Sequence, residues 1–506
     1  MVELFISGLL TALHPFTLLL MFIGTAVGIV FGAVPGLSTV MGLVLGLPFT
    51  YSMEPAVGIC FLVSLYIGGT SGGLISAILL GIPGTPSSIA TCFDGLPMKN
   101  SGHAMKALGM GVVFSFLGTV FSTLALVFVS PLLAKVALQF GPHEYFAIAL
   151  FAIILITSLS GSTLPRAFFG TCMGMAFATV GLSPTDAVKR FTFGNPQLVG
   201  GFNTLTVLIG LFAITEIIIT AERIKYSKQQ AKIVVDVKNV KGFGFSWKEF
   251  IEQKWNAFVS AIIGTGIGIL PGIGGSTSNL IAYNVIKSRS KYPEKFGTGI
   301  PDGIVASETS NNASVGGAMI PLLTLGIPGD GATAVLLGAF MVQGIAPGPL
   351  LFKNNASLVF AIFAAMFIGA FLMLIVEFFG LRIFAQVLRV PKYVLLPIVI
   401  VFTTVGAFAL ASRTFDVVAI LVFGILGYIF VKFKVPQSPF IIGFILGKMT
   451  EENLRRGLIL SNNNILNFFT KPIAAVFLIA TIAYLVYLFV KYLKSNKTTI
   501  EREMEA

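Results

Sequence analysis

The sequence predicts an all-α polytopic membrane protein of about 10–12 transmembrane segments, with re-entrant helical hairpins and broken helices arranged as two inverted-topology repeats. Three observations predict it. Charged residues make up 11% of the 506 and hydrophobic ones 55%, with a mean hydropathy of +0.92; soluble domains carry roughly 25% charged residues, and so few cannot cover a soluble surface. Apolar runs of about 20 residues, the length that crosses a ~30 Å hydrocarbon core, recur along the chain. Two different Gly-Pro motifs occur twice, in the same order.

The expected spans are 16–34, 55–80, 105–131, 143–160, 166–182 and 203–220, then 256–286 (broken), 304–325, 356–379, 393–411, 415–431 and 472–490. The N-terminal MVELFISGLL has no basic stretch, so a cleaved signal peptide is not expected and the first apolar segment should remain. A polar linker at 221–255 holds eight basic residues (Arg223, Lys225, Lys228, Lys232, Lys238, Lys241, Lys248, Lys254) and four acidic ones, an excess that places it in the cytoplasm. The net charge of +12 is read the same way, as basic cytoplasmic loops and not as a nucleic-acid surface. The charged tail from Lys491 is expected to fray.

Gly28, Gly32, Pro35 and Gly36 spell GxxxGxxPG, and so do Gly264, Gly268, Pro271 and Gly272. LGIPG stands at Leu80–Gly84 and again at Leu325–Gly329. The ordered recurrence divides the chain into an N-terminal membrane repeat (1–220), the linker (221–255), a C-terminal membrane repeat (256–460), and a last helix with its tail (461–506).

The arms beside Pro271-Gly272 are ~15 residues each, about 22 Å as helix and too short to span. Basic residues flank both arms: the linker before them, and Lys287, Arg289, Lys291 and Lys295 after them. A re-entrant hairpin open to the cytoplasm satisfies both facts. Residues 1–98 contain no Lys or Arg, so the matching first hairpin is expected to open to the opposite side. Paired broken segments in inverted halves point to a transporter.

Pro-Gly inside an apolar run frees backbone N–H and C=O groups, which are tolerated at membrane depth only where protein or water meets them. The freed half-helix N-termini attract anions. Hydroxyl and amide groups cluster beside the breaks. The expected substrate-binding set is Pro35, Gly36, Ser38 and Thr39 at the first tip, with Gly84, Thr85, Ser87 and Ser88 at the first IPG. Pro271, Gly272, Ser276, Thr277, Ser278 and Asn279 complete it at the second tip. Helix capping by the same Ser and Thr residues is the plainer alternative. Asn311, Asn312, Glu308, Asp330 and Asp94 are the coupling-ion candidates, by amide or carboxylate oxygens that suit Na⁺ or by carboxylates that take up H⁺; no other cofactor is expected. Glu216, Glu377 and Arg382 also interrupt apolar stretches and are functional candidates by default, although a place near helix ends in interfacial solvent explains Glu216 and Glu377 equally well. Cys60, Cys92 and Cys172 read as small core residues, and three scattered histidines give no metal-ligand spacing.

At these residues the sequence resembles the large permease subunit, TctA type, of the tripartite tricarboxylate transporters. The resemblance is carried by LGIPGTPSSIATCFDGLPM (80–98), GPHEYFAIALFAIILITSLSGSTL (141–164) and FTFGNPQLVGG (191–201). In the second half it is carried by LPGIGGSTSNLIAY (270–283), SETSNNASVGGAMIPLLTLGIPG (307–329) and GPLLF (348–352). It is strong over about residues 15–350 and weaker to the end. It implies a bacterial inner-membrane transporter of tri- or dicarboxylates and other organic acids. Its implied partners are a small membrane subunit and a periplasmic substrate-binding protein. It also implies coupling to a Na⁺ or H⁺ gradient, which the lack of a Walker A sequence agrees with. The oligomeric state is left open. A carboxylate channel or structural membrane subunit is the alternative, and a membrane-embedded enzyme a remote one, since no nucleophile–base or metal motif is present.

Overall fold

The computed structural model describes residues 2–159, 164–224, 243–272, 274–387, 392–411 and 413–505. Most of the basic linker, including Lys225, Lys228, Lys232, Lys238 and Lys241, and the side chain of Arg382 lie outside the described residues.

The chain is an all-α polytopic membrane protein. Its helices are α1 (Val2–Leu13), α2 (Pro15–Ala33), α3 (Thr39–Gly46), α4 (Pro55–Leu80), α5 (Ile89–Met98), α6 (Ala104–Ala137), α7 (Pro142–Leu159), α8 (Leu164–Ala178), α9 (Thr204–Leu208), α10 (Thr215–Ile224) and α11 (Trp247–Glu252). After these come α12 (Lys254–Ile269), α13 (Gly274–Arg289), α14 (Pro301–Leu325), α15 (Gly331–Val342), α16 (Pro349–Asn354), α17 (Ala356–Val387), α18 (Lys392–Ala411), α19 (Thr414–Lys432), α20 (Gln437–Leu460) and α21 (Pro472–Glu505). Among the described residues the only strands are the two-residue β1 (Gly181–Leu182) and β2 (Lys189–Arg190), paired antiparallel. Among the described residues, seven helical stretches are long and apolar enough to cross a membrane.

The helices divide into two compact units, each drawing segments from before and after the linker. The first is Met1–Leu138 with Asn203–Ile429; the second is Gln139–Phe202 with Phe430–Ala506.

In the first unit, glycines bring backbones into contact. Gly24, Gly28 and Gly32 of α2 lie against the carbonyls of Phe61, Leu65 and Gly69 of α4, and Gly72 of α4 lies against the carbonyl of Ile29. The second motif packs by the same rule: Gly264 and Gly268 of α12 lie on the carbonyls of Ser310 and Ser314 of α14, and Gly317 lies on that of Thr265. A Cβ at any of these positions would collide with backbone. Small residues allow membrane helices this close approach where lipid supplies no hydrophobic drive. The same spacing sets direction. Residue numbers rise together along α2 and α4, and along α12 and α14, so each Pro-Gly tip reaches the middle of its partner helix.

Side-chain hydrogen bonds tie these segments to their neighbours. Gln343 Nε2, just past α15, donates to the Thr50 carbonyl beyond α3 at 3.4 Å. Gln253 and Asn256 at the start of α12 donate to the Asp302 carboxylate at the start of α14, at 3.1 and 3.0 Å. Proline at the first turn starts α2, α4 and α14, and left-handed Gly81 and Gly326 end α4 and α14.

The second unit holds α7, α8, α20 and α21. Gly174 of α8 rests on the Phe440 carbonyl of α20, and Gly443 of α20 on the Thr171 carbonyl of α8. His143 Nε2 lies 2.7 Å from Ser461 Oγ, and Arg190 forms an ion pair with Glu451. Helix α20 was not among the expected spans, because its second half carries Lys448, Glu451, Glu452, Arg455 and Arg456 and depresses the hydropathy. The charged tail forms the end of α21, which runs to Glu505. One further reading is corrected. Of the cysteines, Cys60 is buried and Cys92 half-buried, while Cys172 is exposed on α8 and is no core residue.

Candidate functional site

The four sequence motifs are four backbone breaks, and the structure brings them together. After α2 the chain turns at Gly36 (φ 95°) and Ser38 caps α3. After α4 it reverses at Gly81 (φ 68°), and Ile82-Pro83-Gly84 leads back to a capping box of Thr85 and Ser88 ahead of α5. After α12 it turns at Gly272 (φ 77°) into α13. After α14 it reverses at Gly326 (φ 70°), and Ile327-Pro328-Gly329 leads to a capping box of Asp330 and Thr333 ahead of α15.

Within each half, the IPG return sits on the Pro-Gly hairpin. Gly84 lies on the Gly32 carbonyl, Gly329 lies beside that of Gly268, and the Gly272 N–H donates to the Gly329 carbonyl at 2.6 Å. Between the halves the pairing crosses. Gly275 of the second tip faces Ser87 of the first IPG segment, and Asn279 Oδ1 accepts the Ala90 N–H at 2.9 Å. Gly331 of the second IPG segment faces Val40 of the first tip, and the Tyr66 hydroxyl donates to Asp330 Oδ2 at 2.6 Å.

Four half-helices therefore begin in one region. Three are capped by the protein itself. Ser38 Oγ accepts the Met41 N–H at 3.1 Å, Asn279 Oδ1 serves α5, and Asp330 Oδ1 accepts the Thr333 N–H at 2.8 Å. The fourth, α13, begins at Gly274, where a Cβ would meet Asp330 Cβ at 3.1 Å and Asp330 Oδ2 at 4.0 Å. Around its first turn stand Asn311, whose buried Oδ1 has no hydrogen-bond partner, with Ser314 and Ser87. A Cβ on Gly275 would lie 2.6 Å from Asn311 Oδ1 and 3.0 Å from both Ser314 Oγ and Ser87 Cβ. Partly exposed Ser276, Thr277, Ser38 and Ser87 line the same junction, and no Lys or Arg is among these residues. The positive end of α13 suits an anion held by dipoles and hydroxyls.

The expected residues separate into three roles. Pro35, Gly36, Pro271, Gly272 and Gly84 shape the breaks. Thr39 lies over Gly69, while Thr85 and Ser88 form the capping box of the 3₁₀ turn Pro86–Ser88 and lie over Gly73. Ser278 and Asn279 are buried and tie α13 to α14: Ser278 Oγ donates to the Ser310 carbonyl at 3.3 Å and Asn279 Nδ2 to that of Ser307 at 3.3 Å. Asp94 stands apart from the junction. Its Oδ1 accepts the N–H groups of Gly297, Gly299 and Ile300 at 2.9, 2.8 and 3.0 Å, and its Oδ2 accepts the Tyr283 hydroxyl at 2.8 Å. It anchors the loop between α13 and α14.

Glu308 belongs to a neighbouring polar cluster. It accepts from Thr91, and from Ser115 Oγ at 3.1 Å; Asn312 Nδ2 donates to Ser115 Oγ at 2.8 Å. Glu377 is corrected. It is fully buried in the middle of α17, where Ser71 Oγ donates to its Oε2 at 2.8 Å, and it is not at an interface. Tyr66, Ser71, Ser115, Gly275 and Ser314 were missed by the sequence reading. The signal for Tyr66 and Ser71 was their position in the YIGGTSGG run of an otherwise apolar helix.

A polar cleft of about 430 Å³ lies away from the breaks, lined in part by Lys106, Glu249, Lys295, Gly299 and Asp302. There the hydrogen bond from Lys106 holds the Glu249 carboxyl down at about 2, below its ordinary 4.5.

The tripartite tricarboxylate transporter TctA family profile matches residues 18–442. An uncharacterized 52.8 kDa protein in the TAR-I ttuC' 3' region of Agrobacterium vitis is 34% identical over 493 residues, which are 97% of each chain. An uncharacterized protein in the TAR-II ttuC' 3' region of the same organism is 39% identical over 212 residues, 42% of this chain and 88% of that one. No solved structure matches the chain.

Proposed function

The chain belongs to the tripartite tricarboxylate transporter TctA family, and from that premise we propose that it is the permease subunit of a cation-coupled secondary transporter. Its substrates are tri- or dicarboxylates or related organic acids, moved across the bacterial inner membrane. It works with a small membrane subunit and a periplasmic substrate-binding protein.

One observation carries this reading: the first turn of α13 meets the partnerless Asn311 Oδ1, Ser314 and Ser87 where four broken segments converge. Coupling and substrate sites of secondary transporters are built from such discontinuous helices. A site of neutral dipoles binds a carboxylate without an arginine clamp, and co-transported cations supply the missing charge. The equivalent glycine contacts of α2 on α4 and of α12 on α14 support two inverted repeats. We place both hairpins on one transport element, in keeping with their common place in the first compact unit, and that element moves in an elevator-like step against other helices.

Reconstitution into proteoliposomes with imposed Na⁺ or proton gradients tests the reading. A carboxylate should accumulate above its equilibrium level when one gradient is present. Equilibration that stops at equal concentrations, whatever the gradient, would identify a channel instead.

A further inference from the structure

The proposed transporter moves anions with the aid of a cation, yet none of its breaks shows where a cation is held. The strongest remaining feature of the first unit is a pair of fully buried carboxylates, Glu308 on α14 and Glu377 on α17. Ser71, which donates to Glu377, follows Thr70, whose carbonyl accepts Asn311 Nδ2 of α14 at 3.3 Å, and Ser115, which donates to Glu308, accepts from Asn312 Nδ2 at 2.8 Å. Among the described residues, neither carboxylate is paired with a lysine, arginine or histidine.

Two like charges in a membrane interior are expensive unless compensated. Their neighbours are hydroxyls and amides: Ser71 for Glu377, and Thr91, Ser115 and Asn312 for Glu308. The atoms left over decide what compensates them. Glu377 Oε1 and Asn312 Oδ1 are buried with no hydrogen-bond partner. Asn312 must present its oxygen there, because its Nδ2 donates to Ser115 Oγ at 2.8 Å and to the Glu308 carbonyl at 3.1 Å. Both leftover atoms are acceptors. A proton on one carboxylate would be a donor that satisfies a single oxygen, whereas a hard cation gathers several oxygens at once.

We propose that Glu377 and Glu308, with Ser71, Ser115 and Asn312, form an occluded site for a dehydrated hard monovalent cation, Na⁺. The inference rests on the transporter reading for its purpose and on the buried oxygens for its place. It also connects the two sites. Ser71 is next to Thr70, whose carbonyl accepts Asn311 Nδ2 at 3.3 Å, and the other end of that amide faces Gly275 at the anion junction. A cation drawing on Ser71 and Glu308 would fix the α4–α14 contact that presents Asn311 to the substrate.

Binding of radioactive Na⁺ to the purified full-length chain, with choline as the replacement salt and no carboxylate present, tests the site independently of transport. Wild type should bind Na⁺ saturably. Glu377→Gln should weaken binding at least tenfold and Glu308→Gln comparably, while Glu54→Gln, at an exposed position, should match wild type. Should Glu377→Gln fail to fold, Ser71→Ala carries the same test with a smaller loss expected. Wild-type protein that does not bind Na⁺, or a folded Glu377→Gln or Ser71→Ala that binds it as wild type does, overturns the proposal. Carboxylate accumulation driven by protons alone would then leave the transporter reading standing without this site.

Discussion

The Tyr66 hydroxyl donates a 2.6 Å hydrogen bond to Asp330 Oδ2, joining α4 to the cap of α15 across 264 residues of sequence. Asp330 meanwhile uses Oδ1 to accept the Thr333 N–H. One carboxylate thus fixes the second IPG return and locks it to the first half of the chain. Tyr66→Phe removes a hydrogen bond to a charged group and should lower stability by ~1.5–3 kcal/mol. Asp330→Asn keeps a good cap and should lose less than Asp330→Ala, which removes both contacts. Thermal unfolding in detergent should rank the three variants in that way.

Ser52 follows α3 and Ser288 lies in the last turn of α13, and both are exposed. Single cysteines placed there in a cysteine-free background should label with a membrane-impermeant reagent from opposite faces. Labelling of both from one face would rule out the inverted repeat.

Ser38 and Ser278 should behave differently. Ser278 is fully buried and donates to backbone carbonyls, so Ser278→Ala should cost stability, about 1 kcal/mol, with affinity affected only through the α13–α14 contact. Ser38 is partly exposed at the first tip, where it accepts the Met41 N–H and keeps its own proton to donate. Ser38→Ala should weaken carboxylate affinity by roughly 10- to 150-fold, one hydrogen bond to a charged group. Unchanged affinity in a stable Ser38→Ala protein would remove the first tip from the site.

The breaks were legible because the residues that make them are chemically distinctive. Gly36, Gly81, Gly272 and Gly326 adopt positive φ, and a proline sits beside each turn, so backbone geometry is written in residue type. The glycine spacing before each tip also marked the helix contacts it serves. The depth of Glu377 was not legible, since hydropathy places a residue along a helix and says nothing of which neighbours surround it. Asp94 read as an ion candidate because its four donors come from residues about 200 positions away. The two compact units were hidden for the same reason: each joins segments that are distant in sequence.

Glu249 sets a pH dependence outside the membrane spans. Its carboxyl titrates near 2 in the folded protein, depressed by the Lys106 hydrogen bond from 4.5. A depressed carboxyl stabilises the fold fully above its unfolded value, and the stabilisation fades as pH falls from about 4.5 toward 2. The Tm gap between wild type and Glu249→Gln should therefore be constant from pH 7 to about 5 and narrow at lower pH. A gap that widens on acidification would contradict the pairing. Solvent exposure of the pair keeps the effect small.

The central claim is that the α13 N-terminus, with Asn311, Ser314 and Ser87, holds the carboxylate. Equilibrium binding of a panel of di- and tricarboxylates to wild type and to Gly275→Ala measures it most directly, because a methyl group at Gly275 would press on Asn311 Oδ1 and Ser314 Oγ. Wild type should bind at least one member of the panel, and Gly275→Ala should lose more than tenfold in affinity while remaining folded and monodisperse. A folded Gly275→Ala protein that binds the same carboxylate as tightly as wild type would contradict the account.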